Sequence, residues 1–289
     1  MSQSPAIRQA MQRLGRAMGP DVLNKVHTLF NDEQLRLAER QPPLVTDVSY
    51  GPHERHRLDI YRPAHATQNS KLPVLVFVHG GGFLKGDKGD SHWYNASVGR
   101  FAAQQGFIGV VLNYRLAPDF TWPAGGEDVG QCVSWLSAHI AEYGGDAENI
   151  ILAGTSAGAV HVATYFQLNP HSTEVKGLIF LSGLYGVTPL DERDELYYGE
   201  SSLYPQRMPL AALINCPLPM FIACSEFDPP RFQQEWLGLM QERFAATQQL
   251  DHGMLVAGHN HYSIAGHIGT SDTRLADEMV AFINDCTRR

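Results

Sequence analysis

The order in which strand-like and helix-like segments follow one another restricts this chain to few folds. Eight apolar, β-branched runs of strand length occur, at residues 44–50, 57–61, 74–78, 108–114, 149–153, 178–181, 220–224 and 254–257. The last six are apolar at nearly every position, which is typical of strands covered on both faces. The first two alternate loosely between apolar and polar residues, which predicts half-exposed edge strands.

Segments of helical length separate the later strands, at residues 93–105, 126–143, 157–167, 231–247 and 273–285. Strands that alternate with helices predict right-handed βαβ units and a parallel sheet with helices on both faces. The length of 289 residues could accommodate two domains, but one large α/β domain also reaches it. The sequence therefore predicts an α/β fold with a mostly parallel, eight-stranded sheet flanked by helices.

Two segments fall outside this alternation. Residues 1–43 have helical spacing, with Pro20 in the first turn of a second helix and prolines at the end of the pattern. Residues 185–217 contain four prolines and are too long for an ordinary connection. Open α/β sheets hold their ligands at the carboxyl ends of the strands. We therefore expect 1–43 and the 185–217 insertion to form a helical cap over that edge of a main domain, 44–289.

The first twenty residues have two interpretations. They contain three arginines and no acid before Asp21, and their apolar residues share one helical face, as in a transit peptide. The same pattern is typical of an amphipathic helix packed on the body, which we favour.

Charge and composition argue against several classes of function. Lys and Arg number 22 against 30 Asp and Glu, so the net charge is −8, and no basic run suggests nucleic-acid binding. The apolar runs are much shorter than the ~20 residues that cross a bilayer, so no membrane span is predicted. The four cysteines lack CxxC spacing, which favours reduced thiols in a cytoplasmic protein over zinc ligands or disulfides.

One motif points to nucleophilic chemistry. Gly154-Thr155-Ser156-Ala157-Gly158 directly follows an apolar run and precedes a helical segment. A sharp turn from strand to helix leaves room for little beyond glycine at the flanking positions and holds the serine hydroxyl clear of the backbone. The motif indicates Ser156 as a nucleophile, although plain glycine-rich turns contain similar strings.

A second glycine-rich motif, His79-Gly80-Gly81-Gly82-Phe83, follows the strand at 74–78. Its glycines leave backbone N–H groups free to converge on a developing oxyanion. A phosphate-binding nest is the alternative, but the chain lacks the GK[ST] ending or GxGxxG pattern of such loops. An oxyanion-binding loop is the favoured interpretation.

A nucleophilic serine needs a base, and the base needs an orienting carboxylate. Asp228 and His261 each follow a predicted strand, which places them at the same edge of the sheet as Ser156. Their nearest rivals in sequence are Glu226 and His259.

A metal site is a weak alternative use of the late histidines. His259, His261 and His267 could approach one another, but no acid lies nearby at ligand spacing. No metal and no cofactor are predicted.

The motifs together resemble the hormone-sensitive-lipase branch of the α/β-hydrolase esterases. The likeness runs from about residue 57 to the C-terminus and includes the segment 113–118, the segment 122–124 and Asp128. It implies the α/β-hydrolase fold, with Ser156 as nucleophile, Asp228 as acid and His261 as base. The N–H groups implied for the oxyanion hole are those of Gly81, Gly82 and Ala157.

The resemblance implies a serine carboxylesterase that hydrolyses short to medium acyl esters of small molecules, and it allows a homodimer. Thr155, Ala159 and the string 228–231 depart from the common family pattern and lean towards arylformamidases, so an amidase with the same triad is the main alternative. A non-catalytic receptor and a lyase are further alternatives, since one scaffold hosts many reactions. Apolar cap residues either line an acyl pocket or fix the cap to the body: Met11, Met18, Phe30, Leu203, Tyr204, Met208 and Leu213.

Overall fold

The computed structural model describes residues 3–89, 92–189 and 191–287, and within these ranges eight strands form one sheet. The strands are β1 Val45–Ser49, β2 Arg57–Tyr61, β3 Leu72–Val78, β4 Ile108–Leu112, β5 Gly145–Thr155, β6 Val175–Leu181, β7 Met220–Phe227 and β8 His252–Asn260. Their order is β1-β2-β4-β3-β5-β6-β7-β8. The two pairs that involve β2 are antiparallel and the other five are parallel. The predicted mostly parallel, eight-stranded α/β sheet is confirmed.

The prediction of two half-exposed edge strands is right for β1 and wrong for β2. Strand β2 lies between β1 and β4, and four of its five residues are buried. Its polar Asp59 is buried because it accepts a hydrogen bond from the N–H of Asp47 (2.9 Å) and pairs with the Lys88 ammonium (3.0 Å). A buried carboxylate with partners therefore gave β2 the apolar–polar alternation that is typical of a half-exposed strand.

Helices cover both faces of the sheet. Alternate residues of β3 point to opposite faces, and they belong to two different apolar clusters. The helices in the described ranges are α1 Pro5–Leu14, α2 Pro20–Arg40, α3 Trp93–Gln104, α4 Ala124–His139, α5 Ala157–Leu168, α6 Glu195–Tyr198, α7 Tyr204–Arg207, α8 Leu210–Ile214, α9 Pro230–Thr247, α10 Ser263–Gly266 and α11 Arg274–Thr287. Helices α4, α5 and α9 pack on one face, whereas α3 and α11 pack on the other. None of these helices has the length and apolar character needed to cross a membrane.

The N-terminal helices pack on the body. Met11 of α1 and Phe30 of α2 are buried in an apolar cluster with Trp93 at the start of α3. The side-chain amide of Gln34 donates hydrogen bonds to the carbonyls of Gly266 (3.0 Å) and Ile268 (2.9 Å). The favoured interpretation, an amphipathic helix packed on the body, is the one observed. Pro20 begins α2, as the sequence predicted.

Parallel pairing brings the ends of the central strands to one edge of the sheet. In the register of β3 and β5, Val78 lies opposite Gly154, and in that of β5 and β6, Thr155 lies opposite Leu181. At the same edge, Phe227 of β7 pairs with Asn260 of β8. The residues that follow β3, β5, β6, β7 and β8 consequently meet above this edge.

Candidate active site

Ser156 occupies a sharp turn between β5 and α5. Its φ of 52° and ψ of −120° are unusual for a residue with a side chain, and its N–H donates to the Leu181 carbonyl (2.9 Å). A Cβ atom on Gly158 would lie 2.0 Å from the Val78 carbonyl oxygen, and one on Gly154 would lie 2.5 Å from the backbone of Gly158. Both glycines are therefore required for strand and helix to approach closely enough to present the serine.

The two residues predicted to partner Ser156 lie in line with it. The Nε2 atom of His261 is 3.0 Å from the Ser156 Oγ, and its Nδ1 atom is 2.8 Å from the Asp228 carboxylate. Asp228 is fully buried, His261 is buried, and Ser156 is partly exposed. The ring of Phe232 packs against the imidazole, with 4.1 Å between centroids. A hydroxyl, an imidazole and a buried carboxylate linked in this order can transfer a proton from the hydroxyl.

Sequence reasoning missed a further residue, Ser182, that holds the carboxylate of Asp228. Asp228 accepts hydrogen bonds on its other oxygen from the Ser182 hydroxyl and the Ser225 N–H, each 2.6 Å. Ser182 directly follows β6 and has a φ of 49°, and its N–H donates to the Ala223 carbonyl (2.8 Å). The available signal was its position, as a polar residue immediately after an apolar strand at the same edge as Ser156.

The rival acid and base have other partners. Glu226 accepts a hydrogen bond from the Gly258 N–H (2.7 Å). His259 is fully buried 3.1 Å from the Asp272 carboxylate, and its ring stacks on His267 with 3.7 Å between centroids. Burial lowers the pKa of both histidines. Within the described ranges, no group of three or more His, Cys, Asp or Glu side chains could hold a metal ion.

The three predicted oxyanion-hole residues line the same cavity as Ser156. The N–H groups of Gly81, Gly82 and Ala157 make no hydrogen bond within the described part of the chain. Gly81 and Gly82 have φ values of 136° and 61°, and a Cβ on Gly81 would lie 1.8 Å from the Lys85 carbonyl oxygen. The loop thus needs glycine, and it leaves donors free at the position where an oxyanion would be bound.

The segment after β4 supports this loop from below. The Tyr114 hydroxyl donates to the His79 carbonyl (2.9 Å), and the two rings stack with centroids 4.3 Å apart. The His79 Nδ1 lies 2.6 Å from the Gly80 carbonyl oxygen. Arg115 donates from its backbone N–H and its Nε to the buried Asp128, each at 2.7 Å. The residues of the family-like segment after the loop thus hold the loop in place.

The chain is similar to known proteins in sequence and in fold. The family model described as BD-FAE matches residues 58–201. A solved hyperthermophilic esterase from the archaeon Pyrobaculum calidifontis superposes with a TM-score of 0.70 and 23% identity, over 99% of each chain. The carboxylesterase EstE1, cloned from a metagenomic library, superposes with a TM-score of 0.68 and 20% identity, over 94% of this chain and 99% of its own. The chain has the α/β-hydrolase fold. The predicted resemblance to hormone-sensitive-lipase-like esterases is confirmed.

Two Mycobacterium tuberculosis proteins are similar to this chain in sequence. One, named "Probable carboxylic ester hydrolase LipM", is 32% identical over 177 residues, which are 57% of this chain and 38% of that protein. The other, named "Esterase LipQ", is 26% identical over 266 residues, which are 82% of this chain and 61% of that protein. The chain therefore spans less than two thirds of the length of either relative.

The cavity above Ser156 has a volume of about 590 Å³. The N-terminal segment contributes Met18 and Leu23 to its lining, and the 185–217 segment contributes Asp191, Arg193 and Asp194. Among the seven apolar cap residues considered for an acyl pocket, only Met18 lines this cavity. The pocket-lining interpretation is therefore wrong for the other six, several of which are buried in apolar clusters that fix the N-terminal helices and the 185–217 segment to the body.

A histidine pair forms part of the cavity wall. His27 of α2 stacks on His92, which precedes α3, with 3.9 Å between the ring centroids. Burial and the neighbouring His92 lower the pKa of His27 to about 4, and burial lowers the pKa of His92 as well. This wall is therefore uncharged near neutral pH.

A buried acid fixes the first residues of the 185–217 segment. Glu235 of α9 accepts hydrogen bonds from the N–H groups of four consecutive residues, 185–188, at 2.7 to 3.1 Å. The sequence reasoning missed this role. The available signal was that Glu235 shares the buried side of α9 with Leu239 and Arg243, where an unpartnered acid would be unfavourable.

Proposed function

We propose that this α/β-hydrolase is a serine carboxylesterase, with Ser156 as nucleophile, His261 as general base and Asp228 as the orienting acid. The observation that carries the proposal is the hydrogen-bonded line from Asp228 through His261 to Ser156, with bond lengths of 2.8 and 3.0 Å, at the floor of a cavity. The esterase names of the similar proteins support it further.

The proposed reaction has two halves. His261 takes the proton of Ser156 as the serine oxygen attacks the ester carbonyl, while Asp228 keeps the imidazole oriented and stabilises its charged form. The N–H groups of Gly81, Gly82 and Ala157 bind the oxyanion of the tetrahedral intermediate. The alcohol leaves with the proton from His261, and a water molecule then releases the acid by the same sequence of steps. No cofactor takes part in this scheme.

We propose short to medium acyl esters of small molecules as substrates. A volume of about 590 Å³ falls within the ~300–1,000 Å³ range of small-molecule sites. Residues 1–43 and 185–217 serve in this proposal as a cap over the catalytic domain 44–289, because both segments contribute to the lining of the cavity. An amidase of the arylformamidase type would use the same three residues, so only the preferred substrate distinguishes it from the esterase.

The test is hydrolysis of p-nitrophenyl acetate, butyrate, octanoate and laurate beside N-formylkynurenine. We expect fast hydrolysis of the acetate and butyrate, lost by several orders of magnitude in Ser156→Ala. Retained activity in a folded Ser156→Ala protein would exclude the proposed nucleophile. Preference for the formamide would reassign the enzyme as an amidase, and a maximum at laurate would contradict the proposed chain length.

A further inference from the structure

A clamped turn in the 185–217 segment carries Arg193 to the cavity. Asp191 and Asp194 cap each other across the 3-10 turn Glu192–Asp194. The Arg231 guanidinium, which follows the Asp228 turn, bridges both carboxylates at 2.8 and 2.7 Å. The turn is thus fixed to the start of α9, directly after the loop that carries Asp228.

Arg193 extends from this turn over the proposed oxyanion loop. Its Nη2 atom lies 2.4 Å from the place that a Cβ atom on Gly82 would occupy, so the guanidinium rests directly on that glycine. Both residues line the cavity that contains Ser156. A cation at this position is close enough to contact a substrate whose carbonyl is bound between Ser156 and the loop.

The two arginines of the cavity differ in how their charges are satisfied. Arg231 is held by two carboxylates, whereas Arg193 forms no ion pair or hydrogen bond with any part of the chain that the structure describes. Arg193 is also exposed, so its five N–H donors are available to a ligand. The stacked pair His27 and His92 is neutral near pH 7 and adds no competing charge.

We propose, on the basis of the esterase function above, that Arg193 binds a carboxylate group of the substrate. The preferred substrates are then short esters that carry a negative charge on the acyl or the alcohol part, a few atoms from the scissile carbonyl. A planar guanidinium matches a carboxylate with two parallel hydrogen bonds, which a neutral carboxamide of the same size cannot reproduce. The clamp through Arg231 keeps this donor in place before the substrate arrives.

The experiment compares esters that differ only in this charge. For the acyl side, monomethyl succinate is compared with methyl succinamate, in which a carboxamide replaces the carboxylate. For the alcohol side, acetoxyacetate is compared with acetoxyacetamide. The measured quantity is the ratio of kcat/KM for the anionic ester to kcat/KM for its neutral partner, determined by pH-stat titration at low and high salt.

In the wild-type protein we expect one of the two ratios to exceed 1. This ratio should fall at high salt, because salt screens the exposed pair of Arg193 and the substrate carboxylate. Arg193→Ala should lower that ratio by about ten-fold, mainly through the KM of the anionic ester, and Arg193→Lys should lower it less. Glu192→Gln is the matched control. It alters an exposed neighbour in the same turn that does not line the cavity, so the ratio should stay unchanged.

If Arg193→Ala leaves both kcat/KM ratios unchanged, the proposal is overturned, whereas the proposed esterase function is unaffected. An equal loss of kcat/KM for charged and neutral esters would also overturn it, because Arg193 would then contact the scissile carbonyl or stabilise the fold. Calorimetric binding of each anionic ester and its carboxamide to Ser156→Ala, with and without Arg193→Ala, gives a readout independent of turnover. If the wild type hydrolyses no ester, this binding still decides the proposal: equal affinity for each anion and its carboxamide would reject it.

Discussion

Ser156 and Ser182 share an uncommon backbone conformation at the ends of neighbouring strands. Their φ values are 52° and 49°, in the left-handed region that few residues with side chains adopt. Each N–H donates to a carbonyl on the next strand, that of Leu181 or Ala223. Strain of about 1–3 kcal/mol per residue is sustained by such surroundings, and it is commonly found at functional sites. The result is that one hydroxyl faces His261 and the other faces Asp228.

Replacement of Ser182 should impair catalysis without loss of the fold. Ser182→Ala removes one of the two hydrogen bonds to the Asp228 oxygen that does not contact His261. We expect kcat for p-nitrophenyl butyrate to fall about ten-fold, since a hydrogen bond to a charged group contributes about 1.5–3 kcal/mol. KM should change little. Ser201→Ala, at an exposed position, is the control and should retain full activity. An unchanged kcat in Ser182→Ala would show that the carboxylate is held without this hydroxyl.

Replacement of Gly158 tests the close approach of α5 to β3. An alanine Cβ there would meet the Val78 carbonyl at 2.0 Å, so Gly158→Ala should reduce the free energy of unfolding by about 1–3 kcal/mol. Gly130→Ala on α4 is the matched control, because its Cβ would meet only a side chain, at 3.3 Å, and alanine favours the helix. Urea denaturation measures the free energy of unfolding of both variants. Equal stability of Gly158→Ala and the wild type would contradict the packing described above.

The residues that the sequence predicted differ in kind from those it did not. Ser156, Asp228 and His261 each follow a recognisable strand, so local pattern and chain order were sufficient to bring them together. Ser182 and Arg193 instead contact residues that are distant in sequence, Asp228 and Gly82. Such pairings depend on side-chain direction after folding, which the spacing of residues does not determine.

At the scale of elements, strands and helices followed from apolar periodicity, and the errors arose where polar groups are partnered. Strand β2 is interior, and its Asp59 is buried there as the partner of Lys88. The 185–217 segment could be recognised as an insertion from its length and prolines. Its attachment could not be predicted, because it depends on Glu235, a residue of a helix that begins after the segment ends.

Neutralisation of Glu235 should loosen the start of the 185–217 segment. Glu235→Gln replaces one acceptor oxygen by an amide donor that would face backbone N–H groups, and buried polar groups left unsatisfied cost about 1–3 kcal/mol each. We expect the free energy of unfolding to fall by at least about 2 kcal/mol and amide exchange at residues 185–188 to accelerate. Glu242→Gln, at an exposed position on the same helix, should alter neither. Unchanged exchange at these amides would rule out the anchoring role.

At the scale of the whole molecule, buried histidines should make stability depend on pH. Burial lowers the pKa of His161 from 6.5 to about 3, and that of His27 to about 4. The unfolded chain takes up these protons near pH 6.5, whereas the folded chain resists them to lower pH. The folded state therefore binds fewer protons in this range, and its stability falls as pH decreases from 6.5 towards 4.

Urea denaturation at pH 7, 6, 5 and 4 measures this dependence. Fully buried His161 alone contributes a slope of up to about 1.4 kcal/mol per pH unit. His65→Gln, at an exposed position, should leave the slope unchanged, whereas His161→Gln should reduce it. A free energy of unfolding that stays constant or rises on acidification would contradict the neutral burial of these side chains.

One cavity is lined by three parts of the chain: the N-terminal helices, the loop 79–83 with the Ser156 turn, and the 185–217 segment. The fold class was predictable because α/β alternation is a pattern of the entire sequence. The lining of the cavity was not predictable, because several apolar side chains of the N-terminal helices and the 185–217 segment are buried against the body instead. The homodimer and the cytoplasmic location stay predictions.

The most direct test of Ser156 as nucleophile is covalent trapping by an organophosphate such as diethyl p-nitrophenyl phosphate, followed by peptide mapping in the mass spectrometer. We expect one diethylphosphoryl group per chain on Ser156, loss of esterase activity in proportion to its incorporation, and much slower labelling in His261→Ala. Inactivation without modification of Ser156, or full activity in a protein completely modified there, would contradict the proposed mechanism.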